Sequence, residues 1–334
     1  MLLHSLLVNA TVPTRRLQRR VPLLEKWLRL DLTDREFHAL KTACARSYGT
    51  RFGAYYHWYL QKLVVSNRLR QSSNKSIQRM IARMDGTHYT PLDTWADEPC
   101  GLLIATPHHG HYILSIIALI ERLRGKREVF VFYGAPQTHS GNELFDQLHV
   151  HLWNDCSWVH VIHDTRSGLA RALKALQNGA VVVIMPDVYK NEHDTLLIPF
   201  CDRQLNVLLG TAALARKTQS VILPVVSQPA RWSLGFKSVF GEAIDVRTAH
   251  PTTPQGASGN EAMMHQDYCV TLRMFRQFEE EMSDSILCWQ YVRAHFMREA
   301  SFPAIDRDRL KDVTDLFFTD PRLNLDIDNP IRLD

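Results

Sequence analysis

From about residue 100 onward, short uninterrupted apolar runs alternate with segments of helix length, and no other feature of the chain restricts its fold as much. The runs are Gly101–Thr106, Glu128–Tyr133, Trp158–Ile162, Ala180–Met185 and Val221–Val226. Each is of strand length, and none shows the every-second-residue polarity of a strand with one wet face. Strands apolar at every position are expected where helices cover both faces of a parallel sheet. Helices are expected at 112–124, 141–151, 167–178 and 206–218, a further strand at Phe236–Phe240, and a Thr/Pro/Gly-rich loop over Thr248–Gly259. A long helix from about 261 to 299 follows. Upstream, residues 22–85 read as helical, and Thr33-Asp34-Arg35-Glu36 has the spacing of a capping box. The expected fold class is therefore α/β: a central, mostly parallel sheet flanked by helices, with an N-terminal helical layer and a long C-terminal helix. The expected boundaries are 1–90 for a helical region packed on the core, 91–300 for the α/β domain and 301–334 for a tail.

Composition removes several functions. With 39 Lys+Arg against 35 Asp+Glu the net charge is +4, and no basic stripe carries interleaved aromatics, so nucleic acid is not an expected partner. The six cysteines are scattered without a CxxC pair, as in a reduced cytoplasmic protein. The longest charge-free run, Gly101–Ile120, holds Pro107 and three histidines, which disfavours a spanning helix of about 20 apolar residues. At the N-terminus an apolar opening precedes Arg15, Arg16, Arg19 and Arg20, the reverse of signal-peptide order. That basic cluster fits either a solvated helix end or peripheral contact with the anionic inner face of a membrane. The expected location is cytoplasmic, with or without that contact.

The chemistry gathers in TPHHGHYIL, where His108, His109 and His111 follow the first apolar strand directly. In an open α/β sheet, ligands bind beyond the carboxyl ends of the strands. Pro107 and Gly110 shape the turn, glycine by tolerating positive φ. An imidazole there suits a general base, because its ordinary pKa of about 6.5 lies near neutrality. Two other readings stay open. His193, Asp194 or Asp187 could join the cluster as metal ligands, or the three rings could simply line a turn. Asn206 is expected to cap the helix Val207–Lys217, whose first amides could polarise a thioester oxygen. Cys201, in PFCDRQ, has no adjacent base and is a poor candidate for a nucleophile.

The order of motifs resembles the bacterial lipid A biosynthesis acyltransferases, within the lysophospholipid acyltransferase superfamily. TPHHGHYIL occupies the place of the family's H-x4-D/E turn, with His108 at the family histidine. FVFYGAPQTHSGNELFD is similar to its segment with a Tyr, a Pro and an Asn before a Leu-Asp pair. GAVVVIMPD is similar to a strand ending in an aspartate, here Asp187. LIPFCDRQLNVLLGTAALARKTQSVILPV keeps the Pro-Phe pair and the small-residue helix, and ILCWQYVRAHF the Trp-containing C-terminal segment. The resemblance covers about residues 95–297. It implies transfer of an acyl group from acyl carrier protein or coenzyme A to an acceptor, with the histidine as base and no tightly bound cofactor or metal. It also implies a small-molecule, lipid or carrier-bound acceptor. Candidate catalytic residues are His108, His111 and Asp187; candidate substrate contacts are His109, Tyr133, Lys190, Arg203 and Asn206. Lys190 and Arg203 are expected in loops, where they would either hold phosphopantetheine or a carrier surface or be solvated charges.

The chain departs from that pattern at its centre. Counting from His108, His109 and His111, the acid position holds Ile113, Leu114 and Ile116. Three remedies are open: Asp187 supplies the carboxylate from a neighbouring strand, a second histidine orients the first, or the acceptor is an amine. The basic residue implied beside Tyr133 is Gly134, with Ala135 inserted before Pro136, and the family's N-terminal membrane helix is not recognisable. These departures point to an acceptor other than lipid A, such as a specialised-metabolite intermediate. A non-catalytic acyl-chain or carrier-binding relative and a metal-dependent hydrolase are the competing functions.

Overall fold

A computed structural model describes residues 72–134, 143–153, 156–188, 196–201, 203–230, 235–248 and 259–292, together with 62, 65, 69, 70 and 295. The capping box at Thr33, the N-terminal arginines, Lys190, His193 and Asp194 lie outside these residues. Two helices, α1 (Asn74–Met84) and α2 (Thr90–Ala96), lead into strand β1 (Leu102–Ala105). Four units then follow: α3 (Tyr112–Arg122) and β2 (Val129–Tyr133), α4 (Glu143–Trp153) and β3 (Val159–His163), α5 (Arg166–Gln177) and β4 (Val181–Ile184), and a hairpin of β5 (Leu196–Phe200) and β6 (Arg203–Val207). Helix α6 (Gly210–Thr218), strands β7 (Val221–Pro229), β8 (Phe236–Phe240) and β9 (Ile244–Asp245), helix α7 (Gly259–Met282) and a 3-10 helix at Ser283–Cys288 complete the described chain.

The main sheet has the order β3-β2-β4-β1-β7-β8, with β9 also on β7. The five strands from β3 to β7 run parallel, and β8 and β9 pair with β7 antiparallel. The continuous apolar strands have a direct cause in the packing. In β1, Leu103 and Ala105 face one core, with α5, α6 and α7, while Leu102 and Ile104 face a second, with α1 to α4. Neither face of β1 meets water, so no position on it tolerates a polar side chain. Helix α3 shows the same logic in another form: Leu114 through Ile120 are all buried, and its one hydroxyl, Ser115 Oγ, pairs with Ser238 Oγ at 2.6 Å.

Three expectations need correction. The helix expected over 206–218 begins only at Gly210, because residues 203–207 pair with β5 as a hairpin. Asn206 therefore lies within β6 rather than capping a helix, and Leu209 holds the N-cap position of α6. The hairpin escaped the sequence reading because Pro199 and the charged CDR turn interrupt its apolar pattern. The long C-terminal helix ends at Met282; the chain then tightens into the 3-10 turn, with Ser285 outside helical φ/ψ, and leaves it extended at Trp289. No helix among the described residues is long and apolar enough to cross a membrane.

The topology creates a crevice. From β1 the chain leaves across β4 toward β2, and from β4 it leaves across β1 toward β7. Adjacent strands whose connections depart in opposite directions open a gap beyond their carboxyl ends, the usual ligand position in this class of sheet. β1 and β4 pair in register, Ala105 opposite Ile184, so the residues just beyond them are neighbours: His108 on one side, Asp187 on the other.

Candidate active site

Pro107 stops β1 and the chain turns at once, His109 N–H donating to the Pro107 carbonyl at 2.7 Å. Gly110 has φ +56°, and a Cβ built there would stand 2.2 Å from the Ser227 carbonyl of β7. The turn can thus lie flat on the end of β7 only with glycine at this point. It is held from the other side by the segment after the 3-10 helix: Gly110 N–H donates to the Cys288 carbonyl at 3.1 Å and Gln290 N–H to the His108 carbonyl at 2.9 Å. His109 and Trp289 face each other in this short antiparallel bridge.

The Asp187 carboxylate is 1% exposed. Its Oδ1 accepts from His108 Nδ1 at 2.7 Å. Its Oδ2 accepts both the His108 backbone N–H and the Trp289 indole N–H, each at 2.8 Å. Three donors from two chain segments satisfy a carboxylate that would otherwise be costly to bury. With Nδ1 donating to the carboxylate, Nε2 carries the lone pair, and no described group hydrogen-bonds it. The ring of His108 is flanked edge-on by Tyr112 at 4.9 Å and Tyr291 at 5.3 Å between centroids. Burial first, and then the negative charge of Asp187, push both phenols above their usual titration range, so they remain neutral hydroxyls. Tyr112 Oη donates to Gln290 Oε1 at 3.3 Å, tying the first turn of α3 to the same C-terminal segment.

The other two imidazoles have different work. His109 is fully buried, with Nδ1 2.9 Å from the Ser227 carbonyl and Nε2 2.8 Å from the Ser285 carbonyl. Both nitrogens are engaged inside the protein, which corrects the expectation of a substrate contact and takes this ring out of any metal-ligand set. Burial pushes its pKa down, and the neutral ring donates to only one of the two carbonyls at a time; Ser285 Oγ at 3.2 Å can donate to Nε2 when Nδ1 carries the proton. His109→Ala removes this clamp between β7 and the 3-10 turn and leaves a cavity. The expected loss is about 2–4 kcal/mol of stability, read as a lower denaturant midpoint with an unchanged slope. His111 sits at the N-cap position of α3, where its carbonyl accepts Ser115 N–H at 3.0 Å. Of the three imidazoles, Asp187 hydrogen-bonds only that of His108.

Ile113, which stands at the acid position of the motif, lies in the first turn of α3 and packs against the core. Tyr133 ends β2, buried, its ring 5.3 Å from that of His163. Strand β4 separates it from β1, which sets it two strand spacings, roughly 10 Å, from the strand that presents His108. It lines a small apolar pocket with Ile116, Ile117, Ile120, Leu148 and Trp153. Arg203 is the first residue of β6, not a loop residue. Asn206 is buried, and both its side-chain polar atoms lack partners. Cys201 is buried at φ +50°, its N–H donating to Glu279 Oε1 at 2.9 Å. Among the described residues no three His, Cys, Asp or Glu side chains are grouped to hold a metal ion. The sequence reading missed Tyr112, Gln290 and Tyr291 beside His108, and it gave Trp289 no role at the site. The Trp-containing motif did flag that region, but the expected unbroken helix hid the approach of Trp289 to Asp187.

A buried imidazole–carboxylate pair at the carboxyl edge of a parallel sheet, with one ring nitrogen open, marks the candidate active site of an α/β protein. The family model for bacterial lipid A biosynthesis acyltransferases matches residues 65–289, well over half of the chain. The chain belongs to that family and is an acyltransferase of the lipid A acyltransferase type. A search of curated proteins gives no match.

Proposed function

We propose that this protein transfers an acyl group from a thioester, carried on acyl carrier protein or coenzyme A, to a hydroxyl or amine acceptor, with His108 as general base. The observation that carries the reading is the 2.7 Å contact of His108 Nδ1 with Asp187 while Nε2 stays unpaired. Nε2 takes the proton of the acceptor O–H or N–H as that atom attacks the thioester carbonyl. The tetrahedral intermediate collapses, the C–S bond breaks, and the leaving thiolate takes the proton back from the imidazolium. Asp187 holds the ring in the tautomer that leaves Nε2 free and faces the positive charge that forms. It does so from the strand beside β1, in place of the acid that Ile113 does not provide.

The remaining assignments belong to the same reading. Lys190 and Arg203 would bind the phosphopantetheine or carrier surface, Tyr133 and Asn206 would contact substrate, and His111 would act as neighbour to His108. Gly134, in place of the basic residue implied by the family motif, favours an acceptor other than a phosphorylated glycolipid, in specialised-metabolite or lipid biosynthesis. The basic cluster Arg15, Arg16, Arg19 and Arg20 would allow peripheral contact with an anionic membrane face.

The test is incubation with a panel of acyl carrier protein and coenzyme A thioesters plus alcohol and amine acceptors, followed by mass spectrometry. Acylated product is expected, and His108→Ala should abolish it. Product formation that persists in His108→Ala but fails in His111→Ala would move the base to the other imidazole. Acyl donor that binds but is never transferred would instead mark a binding protein.

A further inference from the structure

The polar end of Trp289 meets the reacting pair, and its position is too constrained to be incidental. We propose that Trp289 is a positioning residue: its indole N–H pins Asp187 so that the carboxylate holds His108 in register for proton transfer. This rests on the acyl-transfer reading of His108 and Asp187 and adds a third member, from the other end of the chain.

Two observations carry it besides the 2.8 Å hydrogen bond. First, the indole donates to Oδ2, the same oxygen that accepts the His108 backbone N–H, and Oδ1 is thereby directed at Nδ1. A carboxylate gripped on one oxygen by two fixed donors cannot rotate about its Cβ–Cγ bond without breaking both. Second, neither donor is free to follow it. The Trp289 backbone is bridged to the histidine turn, and its ring, 1% exposed, is wedged edge-on against Phe200 at 5.2 Å and His295 at 5.3 Å between centroids. Indole has a donor and no acceptor, so it can act only on the ionised side of the pair. A tryptophan present only to fill the core would make the same ring contacts without needing this hydrogen bond for the rate.

Trp289→Phe keeps the aromatic body and deletes the donor. With the full-length protein and the best thioester substrate, kcat should fall roughly 10- to 100-fold, as expected for a small misplacement of a reacting group, while KM changes less than about two-fold because Trp289 touches no substrate. The acidic limb of the kcat–pH profile should move to higher pH, because a carboxylate relieved of one donor turns more of its charge on the imidazole. In an Asp187→Asn background the same substitution should change kcat hardly at all, since the effect travels through that carboxylate. If Trp289→Phe misfolds, benzothienylalanine at position 289, with sulfur in place of N–H in a ring of the same shape, replaces it.

A readout independent of turnover keeps the two readings apart. The low-field proton of His108 Nδ1, assigned by its loss in His108→Ala, should shift upfield or broaden in the donor-deleted protein. An unchanged resonance, an unmoved pH profile, or an equal loss of kcat with and without Asp187 would overturn the proposal. Failure of the wild-type protein to transfer any acyl group would overturn the acyl-transfer reading, and the resonance would still decide the role of Trp289 in the pair.

Discussion

Asp187→Asn is expected to reduce acyl transfer by a factor of about 10³ to 10⁴ while leaving a folded protein, as judged by circular dichroism and thermal melting. The shape of the side chain is preserved, so the packing around it has no reason to change. The amide, however, cannot serve all three donors around it. Its oxygen can accept the His108 backbone and Trp289 N–H groups on the Oδ2 side, which turns its NH2 toward His108 Nδ1. That ring nitrogen must then accept, and the proton moves to Nε2, the atom required to be a base. The alternative orientation leaves the two N–H donors facing an NH2 group at a buried position. The magnitude is that of the analogous change in serine proteases, where an Asn in the orienting position selects the wrong tautomer. If Asp187→Asn retains a tenth or more of the wild-type rate, the orienting role of this carboxylate is lost, and with it the explanation for a site that works around Ile113.

Gly110→Ala is expected to be severely destabilising, because it combines a left-handed backbone with a backbone clash. At φ +56° an alanine pays about 1–2 kcal/mol for the left-handed backbone alone. Its Cβ would stand 2.2 Å from the Ser227 carbonyl oxygen, a backbone atom of a sheet strand that cannot step aside. Either the turn lifts off β7 or the strand bends, and in both cases His109 loses its contact with the same carbonyl. A loss of at least about 3 kcal/mol is expected, with a fall in Tm on the order of 5–10 °C for a chain of this size. Activity should fall further than the folded fraction, because His108 stands two residues away. Gly125→Ala is the control: its φ is also positive, at +75°, but nothing lies within 4 Å of the added Cβ. It should cost only the backbone strain and leave activity intact.

How much of this was legible in the sequence follows from which interactions are local. The five parallel strands announce themselves because each must be apolar on both faces, a property written into consecutive residues such as those of β1 and β4. Helices α3 to α5 were equally plain. The contact of Asp187 with His108 was readable only as one of three possibilities, since nothing in GAVVVIMPD says that β4 lies beside β1; strand order belongs to the whole chain. The resemblance singled out His108, but the different fates of its neighbours His109 and His111 were not legible. His108, His109 and His111 differ in which way a four-residue turn points them, and that is settled by Gly110 against β7 and by a segment some 180 residues downstream. The β5–β6 hairpin and the break at Met282 were hidden for a simpler reason: proline and charge in the first, and continued helical spacing in the second, pointed away from the structure that packing imposed.

The bridge between the histidine turn and residues 288–290 also has a bearing on how the protein comes into being. A growing polypeptide offers the ribosome's exit its sheet strands long before Trp289 and Ser285 appear. Until those late residues arrive, the buried carboxylate and the His109 ring each lack a hydrogen-bonding partner that the finished protein supplies. The contact to Asp187 therefore comes late in synthesis: a chain interrupted near Met282 would own every described strand and still lack the indole that holds the His108–Asp187 pair in place.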